Sequence, residues 1–226
     1  MAAPVVAIDG PGGAGKGTIS KAVAKALGWH LLDSGALYRL VALAAIQQKI
    51  AWEASDLLAE AARNLDVRFA FDAAQGGILL SGQDVSERIR QEDCARGASV
   101  VAAIPQVRDA LIERQRGFQQ SPGLVADGRD MGSVVFPDAA LKIFLTASTE
   151  ERALRRYKQL KEKGLDASLR DLSRDLEERD RRDSEREVAP LKPQPDSRVL
   201  DTTSLGISDV VQTVLDWVAE VYSVSP

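Results

Sequence analysis

Residues 9–18 read Asp-Gly-Pro-Gly-Gly-Ala-Gly-Lys-Gly-Thr and follow an apolar run at residues 5–8 that predicts a buried strand. Glycines at four positions of this stretch permit backbone conformations in which successive N–H groups converge on one anion. Those glycines are Gly10, Gly12, Gly13 and Gly15. Lys16 adds a mobile cation, and the helix predicted to begin there directs its positive end to the same point. The stretch therefore predicts a phosphate-binding loop between a strand and a helix, with a nucleoside triphosphate as its ligand.

This loop departs from the P-loop pattern G-x-x-x-x-G-K-[ST] at one position. Gly17 follows the lysine where a hydroxyl residue is usual, and Thr18 comes one place late. A Mg²⁺ ion bound with the nucleotide is therefore expected to rely on phosphate oxygens, water and an acidic side chain rather than on a Ser or Thr hydroxyl. The residues expected to bind the nucleotide are Gly10, Pro11, Gly12, Gly13, Ala14, Gly15, Lys16, Gly17 and Thr18.

Composition sets outer limits on what the chain can be. Its 226 residues are 45% apolar and 27% charged, which suits one folded domain and indicates neither disorder nor residence in a membrane. The net charge of -4 argues against a general nucleic-acid binder. Cys94 is the one cysteine and the N-terminus has no signal-like stretch, which favours a cytoplasmic location. Because His30 is the one histidine and Cys94 the one cysteine, no zinc site can be assembled from them. Both His30 and Cys94 are expected to pack in the interior.

The order of predicted elements indicates an α/β fold. A strand near 4–9, a helix near 16–27 and a strand near 29–33 form a right-handed βαβ unit. Alternating apolar residues and the turn residues Gln75-Gly76-Gly77 then predict a small antiparallel sheet inserted at 65–85. Periodicity predicts further strands at 123–127, 141–145 and 198–201, and further helices at 36–48, 55–64 with Ser55 as N-cap, 86–102, 106–119 and 207–221.

Residues 150–187 form a dense tract of balanced charge, which Gly164 divides into two helical halves. A solvated helix surface with i,i+4 ion pairs is the usual meaning of such a tract. However, the tract holds more arginine than a surface needs, and guanidinium groups suit the oxygens of phosphate. A hinged lid that closes over phosphates is therefore the functional alternative.

Four motifs in this order resemble the bacterial-type cytidylate kinases, which are P-loop nucleoside monophosphate kinases. The motifs are the loop at 10–18, Leu-Leu-Asp-Ser-Gly-Ala-Leu-Tyr-Arg at 31–39, Asp-Gly-Arg-Asp-Met-Gly at 127–132 and Glu-Arg-Asp-Arg-Arg-Asp at 178–183. The resemblance covers nearly the whole chain. It implies a P-loop kinase fold with a parallel five-stranded sheet flanked by helices.

The same resemblance implies the organisation of the chain and its activity. It implies one domain over 1–226, with a monophosphate-binding region at 34–120 that contains the inserted sheet, and a helical lid at 150–187. The expected reaction transfers the γ-phosphoryl group of ATP, with Mg²⁺, to CMP or dCMP. The expected partners are these small molecules alone, with no nucleic acid and no membrane, and the expected state is a monomer.

Other readings of the P-loop are open to different degrees. A switch GTPase is disfavoured because Asn64, the one asparagine, is followed by Leu65 rather than by the Lys of an Asn-Lys-x-Asp motif. A non-catalytic nucleotide-binding module fits the motifs in principle, because motifs indicate capacity rather than turnover. A related kinase that acts on UMP, AMP or a non-nucleotide acceptor is the nearer alternative.

The resemblance also implies roles for individual residues. It assigns the acceptor phosphate to Arg39, Arg129 and Arg186, the cytosine base to Ser34, Ser99, Arg108 and Asp130, and the sugar hydroxyl to Arg179 and Asp183. Charge on the transferring group is assigned to Lys16, Arg129, Arg156, Arg179 and Arg182. Asp33 and Asp127 are the acidic candidates near the metal, acting through water. Without the resemblance, Ser99 and Arg108 would be interpreted as surface or capping residues.

Overall fold

The computed structural model describes residues 2–70, 77–162 and 164–222. The chain divides into two compact units, of which the first is Met1–Asp33 with Arg116–Pro226 and the second is Ser34–Gln115. The expectation of one domain with a monophosphate-binding region at 34–120 stays a prediction. No helix among the described residues is long and apolar enough to cross a bilayer.

The described chain begins with a β1-α1-β2 unit, and later helices and strands come both singly and in consecutive pairs or runs. The strands are β1 (Val5–Asp9), β2 (His30–Asp33), β3 (Val67–Ala70), β4 (Gly77–Leu80), β5 (Gln83–Asp84), β6 (Leu124–Gly128), β7 (Leu141–Thr146) and β8 (Arg198–Asp201). The helices are α1 (Lys16–Leu27), α2 (Ser34–Gln48), α3 (Ser55–Arg63), α4 (Glu92–Val101), α5 (Pro105–Arg116), α6 (Thr149–Glu162), α7 (Leu169–Glu185) and α8 (Ile207–Tyr222). A 3₁₀ turn at Arg88–Arg90 and a π-helical turn at Met131–Val135 complete the set.

The first unit is built on a parallel five-stranded sheet in the order β2-β6-β1-β7-β8. Its central strands read as near-continuous apolar runs because helices cover both faces of such a sheet. The register places Asp9 opposite Gly128 and Asp33 opposite Asp127, so that polar residues share the carboxyl edge of the sheet. In open α/β sheets this edge is where ligands bind. The predicted α/β fold with a parallel five-stranded sheet is confirmed.

Helices α1 and α8 pack with the sheet in one apolar core, which includes Ile8, Val23, Leu145 and Val214. Tyr222 anchors the end of α8. Its hydroxyl donates to the carbonyl of Val5 at 2.6 Å and accepts from the N–H of Leu141 at 3.2 Å. Its ring lies edge-on to Trp29, with the centroids 5.7 Å apart. These contacts hold the last helix against β1 and β7.

The charged tract forms α6 and α7, as the position of Gly164 predicts. Gly164 has φ 71°, in the left-handed region where glycine carries no steric penalty. The hydroxyl of Ser168 then caps α7 by accepting a hydrogen bond from the N–H of Asp171. The two helical halves are thus separated by residues with ordinary stop and start chemistry.

The second unit packs α2 against α4 through a close approach at Gly97. A Cβ atom on Gly97 would lie 2.8 Å from the Trp52 ring and 2.9 Å from the Cβ of Ala42. The predicted insertion is confirmed as a three-stranded antiparallel sheet, β3-β4-β5. The predicted turn residues at 75–76 lie outside the described part of the chain.

Three local predictions are wrong. His30 is exposed rather than packed, because it begins the edge strand β2 and its Nε2 lies 2.9 Å from the carbonyl oxygen of Ser121. Ser55 is the first residue of α3 rather than its cap, which is Ala54. The predicted helix at 86–102 is broken, since Gln91 is extended between the 3₁₀ turn and α4. Cys94 is buried as expected.

Candidate active site

The P-loop has the geometry that its glycines predict. Gly15 adopts φ 92°, ψ 1° and caps α1 without a side chain. The N–H groups of Thr18 and Ile19 both donate to the carbonyl of Gly15 at 3.1 Å, which closes the first turn of the helix. The preceding N–H groups at the start of α1 have no carbonyl to accept them within the helix, so they are suited to an anion.

Gly10 is required by space as well as by conformation. Its φ is 150°, and a Cβ atom there would lie 1.9 Å from the carbonyl oxygen of Leu145 in β7. Such a contact is impossible without moving the backbone of a core strand. The glycine therefore lets the chain leave β1 directly against β7 and enter the loop.

Lys16 is buried at the base of the loop, where its Nζ donates to the carbonyl of Pro11 at 2.9 Å. Burial lowers the pKa of Lys16, and the neighbouring Arg129 and Arg179 guanidinium groups lower it further, while Asp127 acts in the opposite direction. The ammonium group is therefore held among other cations. A polyanion in the loop would relieve this repulsion.

Arg129 and Arg179 come from different motifs and meet at the P-loop. A Cβ atom on Gly12 would lie 3.5 Å from Nη2 of Arg129 and 3.7 Å from the side chain of Arg179. Nε of Arg129 donates to Asp183 at 3.0 Å in a largely buried ion pair. Burial alone would lower the pKa of Arg129, but the Asp183 carboxylate raises it. The structure thus brings together Lys16 and two of the predicted arginines.

Asp9, which the motifs did not single out, holds the segment that carries Arg129 and Asp130. Its two carboxylate oxygens accept the N–H groups of Met131 and Gly132, each at 2.8 Å. Burial raises the pKa of Asp9 to about 6, although these two hydrogen bonds oppose the shift. The carboxylate thereby links the end of β1 to the turn that follows Arg129 and Asp130.

The acidic residues proposed near a metal fit an indirect role. A Cβ atom on Gly17 would lie 3.5 Å from Oδ2 of Asp127, so this carboxylate borders the position where other P-loops carry a hydroxyl. Burial raises the pKa of Asp127, Lys16 opposes the shift, and Asp33 adds to it. Among the described residues, no group of three or more His, Cys, Asp or Glu side chains could hold a metal ion. These residues fit an ion that is held mainly by phosphate oxygens and water.

The other predicted arginines of the first unit differ in their surroundings. Arg156 is half-buried on α6. Arg186 is half-buried, donates to the carbonyl of Ala189 and helps to lower the pKa of Asp183. Arg182 is exposed and donates to the carbonyl of Glu178 in its own helix at 3.5 Å. The structure therefore does not place Arg182 with the cations at the P-loop.

In the second unit, the residues assigned to the base are buried. Ser34, Ser99 and Arg108 are 3%, 8% and 6% exposed, so the interpretation of Ser99 and Arg108 as surface residues is wrong. In the part of the chain that the structure describes, the Ser99 hydroxyl has no hydrogen-bond partner. Arg108 donates to the carbonyl of Ala102 at 3.3 Å, and the half-buried Arg39 donates to that of Ile89 at 3.0 Å.

Comparison with known proteins identifies the relatives of this chain. The family model described as cytidylate kinase matches residues 6–220. The chain belongs to the cytidylate kinase family. A protein of Aeromonas hydrophila subsp. hydrophila named cytidylate kinase is 56% identical to this chain, in an alignment that covers 94% of this chain and 93% of the relative. A cytidylate kinase of Nitrosococcus oceani is 54% identical, with 96% of each chain covered. One of Pseudomonas aeruginosa is 56% identical, with 95% of this chain and 94% of the relative covered.

Two further residues of this cytidylate kinase family member contact the P-loop. Arg152 belongs to the lid arginines near 152–156 that were expected to close over the phosphates, whereas Thr202 had no predicted role. Arg152 donates to the carbonyl of Gly12 at 2.9 Å. The Thr202 hydroxyl lies 3.3 Å from the carbonyl oxygen of Ala14. Neither residue stands in one of the four motifs. The arginine-rich tract marked Arg152 as a lid residue but not as a contact of the P-loop backbone, and no local pattern marks Thr202. Asp9 did carry a signal, since an acidic residue at the end of an apolar strand must find donors where it is buried.

Proposed function

We propose that this chain transfers the γ-phosphoryl group of ATP to CMP or dCMP, giving ADP with CDP or dCDP. The observation that carries the proposal is the meeting of Lys16, Arg129 and Arg179 at the P-loop. Membership of the cytidylate kinase family supports the choice of acceptor. The cations supply the positive charge that two phosphorylated substrates require in one place.

The proposed chemistry needs positioning and charge more than proton transfer. The nucleophile is a phosphate oxygen of the acceptor, which is already ionised near neutral pH, so no general base is required. The N–H groups of the P-loop and Lys16 hold the donor phosphates, and Arg129 and Arg179 offset the charge on the transferring group. Removal of water from the site then limits wasteful hydrolysis of ATP.

The acceptor contacts are part of the same proposal. We assign the acceptor phosphate to Arg39, Arg129 and Arg186, the cytosine base to Ser34, Ser99, Arg108 and Asp130, and the sugar hydroxyl to Arg179 and Asp183. The buried Ser99 hydroxyl supports this assignment, because a buried hydroxyl without a partner is costly until a ligand supplies one. Arg156 and Arg182 are proposed to act only when the lid region at 150–187 closes over the phosphates.

Mg²⁺ is the proposed companion of ATP. Asp127 would hold it through water, with Asp33 as a second carboxylate, and the ion would neutralise charge on the phosphate oxygens when bound. We also propose a monomer in the cytoplasm that binds neither nucleic acid nor membrane, in keeping with a net charge of -4 and a single cysteine.

The test is a coupled assay of ADP formation from MgATP with CMP, dCMP, UMP, AMP or no acceptor. ADP should form with CMP and dCMP, with much slower turnover on UMP and AMP and little without an acceptor. Faster turnover on UMP or AMP would replace the proposed substrate. If the rate of ADP formation were the same with and without every acceptor, the assignment as a nucleotide kinase would be wrong.

The choice of base should depend on Asp130. Cytosine offers an amino donor where uracil carries an oxygen, so a carboxylate at that point accepts from one base and faces an acceptor in the other. Asp130→Ala should lower kcat/KM for CMP by roughly 10- to 1000-fold and lower that for UMP much less. Equal losses for both substrates in steady-state kinetics would make Asp130 a structural residue instead.

A further inference from the structure

Arg152, near the start of α6, is one of the most buried charged residues of the first unit, with its side chain 4% exposed. Its Nε donates to the carbonyl of Ala147 at 3.0 Å, and its Nη1 donates to the carbonyl of Gly12 in the P-loop at 2.9 Å. Its Nη2 donates to the Thr149 hydroxyl at 2.9 Å and to Oδ2 of Asp180 in α7 at 2.5 Å. One guanidinium group therefore joins the P-loop, the start of α6 and the middle of α7.

The first turns of α6 lie directly against the P-loop. A Cβ atom on Gly13 would lie 3.2 Å from the Cβ of Arg152. One turn further along, Arg155 donates to the hydroxyl and the carbonyl of Thr202, at 3.1 Å and 2.6 Å. The Thr202 hydroxyl in turn lies 3.3 Å from the carbonyl oxygen of Ala14. The start of α6 thus contacts Gly12 directly and is linked to Ala14 through Thr202, so it supports the loop on both sides of Gly13.

On α7, the partner of Arg152 stands beside residues of the proposed site. Asp180 lies between Arg179, whose side chain is near Gly12, and Asp183, which pairs with Arg129. Within the described residues, Oδ1 of Asp180 is buried without a hydrogen-bond partner, while Oδ2 accepts from Arg152 and the nearby Arg129 adds a charge interaction. The Arg152–Asp180 pair therefore fixes the rotation of α7 that keeps Arg179 at the P-loop.

We propose that Arg152 is a positioning residue for phosphoryl transfer, which acts by joining Gly12 to Asp180 and does not itself contact phosphate. A guanidinium group has five N–H donors, and four of those of Arg152 are engaged by the hydrogen bonds above. Contact with phosphate would break the joint that places Arg179. This inference rests on the proposed function, and it separates Arg152 from the arginines that are proposed to close over the phosphates.

The test compares Arg152→Lys, Asp180→Asn and the double variant in steady-state kinetics with MgATP and CMP. A lysine keeps the charge but cannot reach four acceptors in three directions. Each single variant should lower kcat by about 10- to 100-fold, because the displaced Arg179 no longer offsets the charge on the transferring group. KM for CMP should rise by a smaller factor, because Arg179 is only one of several residues assigned to the acceptor. The double variant should lose no more than the worse single variant, since both break one joint.

A direct phosphate contact predicts a different pattern. Asp180→Asn would then leave Arg152 charged and more available, so kcat would stay the same or rise, and the two effects would add. Either result overturns the proposal. Asp175→Asn is the matched control, because it removes a carboxylate from an exposed position of the same helix, and its kcat should stay within about twofold of the wild type.

A second measurement is independent of turnover. Amide exchange over residues 169–185 of the protein without nucleotide should be faster in Asp180→Asn and Arg152→Lys than in the wild type and in Asp175→Asn. If Arg152→Lys fails to fold, the test rests on Asp180→Asn alone. An Asp180→Asn variant whose kcat and amide exchange match those of the wild type would overturn the proposal. If the wild type does not phosphorylate CMP, the proposed function fails, whereas exchange still shows whether the joint exists.

Discussion

The two halves of α7 have similar sequences and different surroundings. In the first half, Arg174 pairs with Asp171 at 3.1 Å, with side chains 70% and 55% exposed. In the second half, Asp180 and Asp183 pair with arginines from outside the helix, Arg152 and Arg129, which are 4% and 19% exposed. The same residue types thus form a solvated surface at one end and buried ion pairs at the other.

This difference shows that composition does not determine what a charged residue does. Exposed pairs contribute little because water screens them and both side chains lose rotamer freedom. Buried pairs are costly to break, because the remaining partner is left as an uncompensated charge. The interpretation of the tract as a solvated surface is therefore correct for the start of α7, whereas its last turns contact the proposed site.

The largest effect should come from removing Lys16, the P-loop cation that lies near Arg179 at the buried end of α7. Lys16→Ala should lower turnover by at least about 1000-fold, on the scale of lost charge stabilisation in the transition state. Arg174→Ala removes a cation from the exposed end and should change kcat/KM less than about twofold. Steady-state kinetics with CMP measures both, after circular dichroism has shown that each variant folds. A folded Lys16→Ala variant with most of its activity would refute the P-loop assignment.

A smaller effect should separate the two ends of the helix in stability. Asp183→Ala should lower the free energy of unfolding by about 3 kcal/mol, because Arg129 stays largely buried without its partner. Asp175→Ala, at the exposed end, should change it by no more than about 0.5 kcal/mol. Denaturant titration compares the two variants. Similar losses for both would show that burial does not distinguish the two halves of α7.

The smallest effect concerns Asp9, a buried carboxylate that is held by backbone donors instead of an arginine. Its pKa is raised from 3.8 to about 6, so the folded protein keeps a proton that the unfolded chain has lost between these values. The stability from this proton is fully present below about pH 4 and is lost as the pH rises through 6. Relative to Asp9→Asn, which does not titrate, the wild type should gain about 1.4 kcal/mol between pH 7.5 and pH 5.

Denaturant titration of the wild type and Asp9→Asn at both pH values measures this gain. The fixed cost of the lost hydrogen bond is the same at the two pH values and cancels in the comparison. If the difference between the two proteins did not change with pH, Asp9 would be ionised in the same range in both states, and burial would not control its proton.

Local patterns predicted those parts of the molecule that depend on local chemistry. The bounds of α1 were predicted at 16–27, because the glycines before it and the apolar period within it leave no other register. The turn at Gly164 and the strands of the parallel sheet follow in the same way. Each of these features is determined by residues that are neighbours in the chain.

Features that depend on distant contacts could not be predicted in this way. Arg152, Arg155 and Arg156 lie within one turn and a half of α6. The local sequence does not show that Arg152 donates to a P-loop carbonyl whereas Arg155 donates to Thr202. The burial of Ser99 and Arg108 likewise depends on packing between helices. For Arg39, Asp130 and Arg186, the family resemblance implies a role that their own sequence surroundings do not, and these roles stay predictions.

The position of β1 in the middle of the sheet affects how the protein folds during its synthesis on the ribosome. This strand is synthesised before the other strands of its sheet, yet it lies between β6, which begins at Leu124, and β7, which begins at Leu141. The whole of Ser34–Gln115, a compact unit, is synthesised before either partner exists. We therefore expect this unit to fold while β1, an apolar strand that precedes it, is still unpaired. During that interval β1 can bind chaperones or aggregate with neighbouring chains.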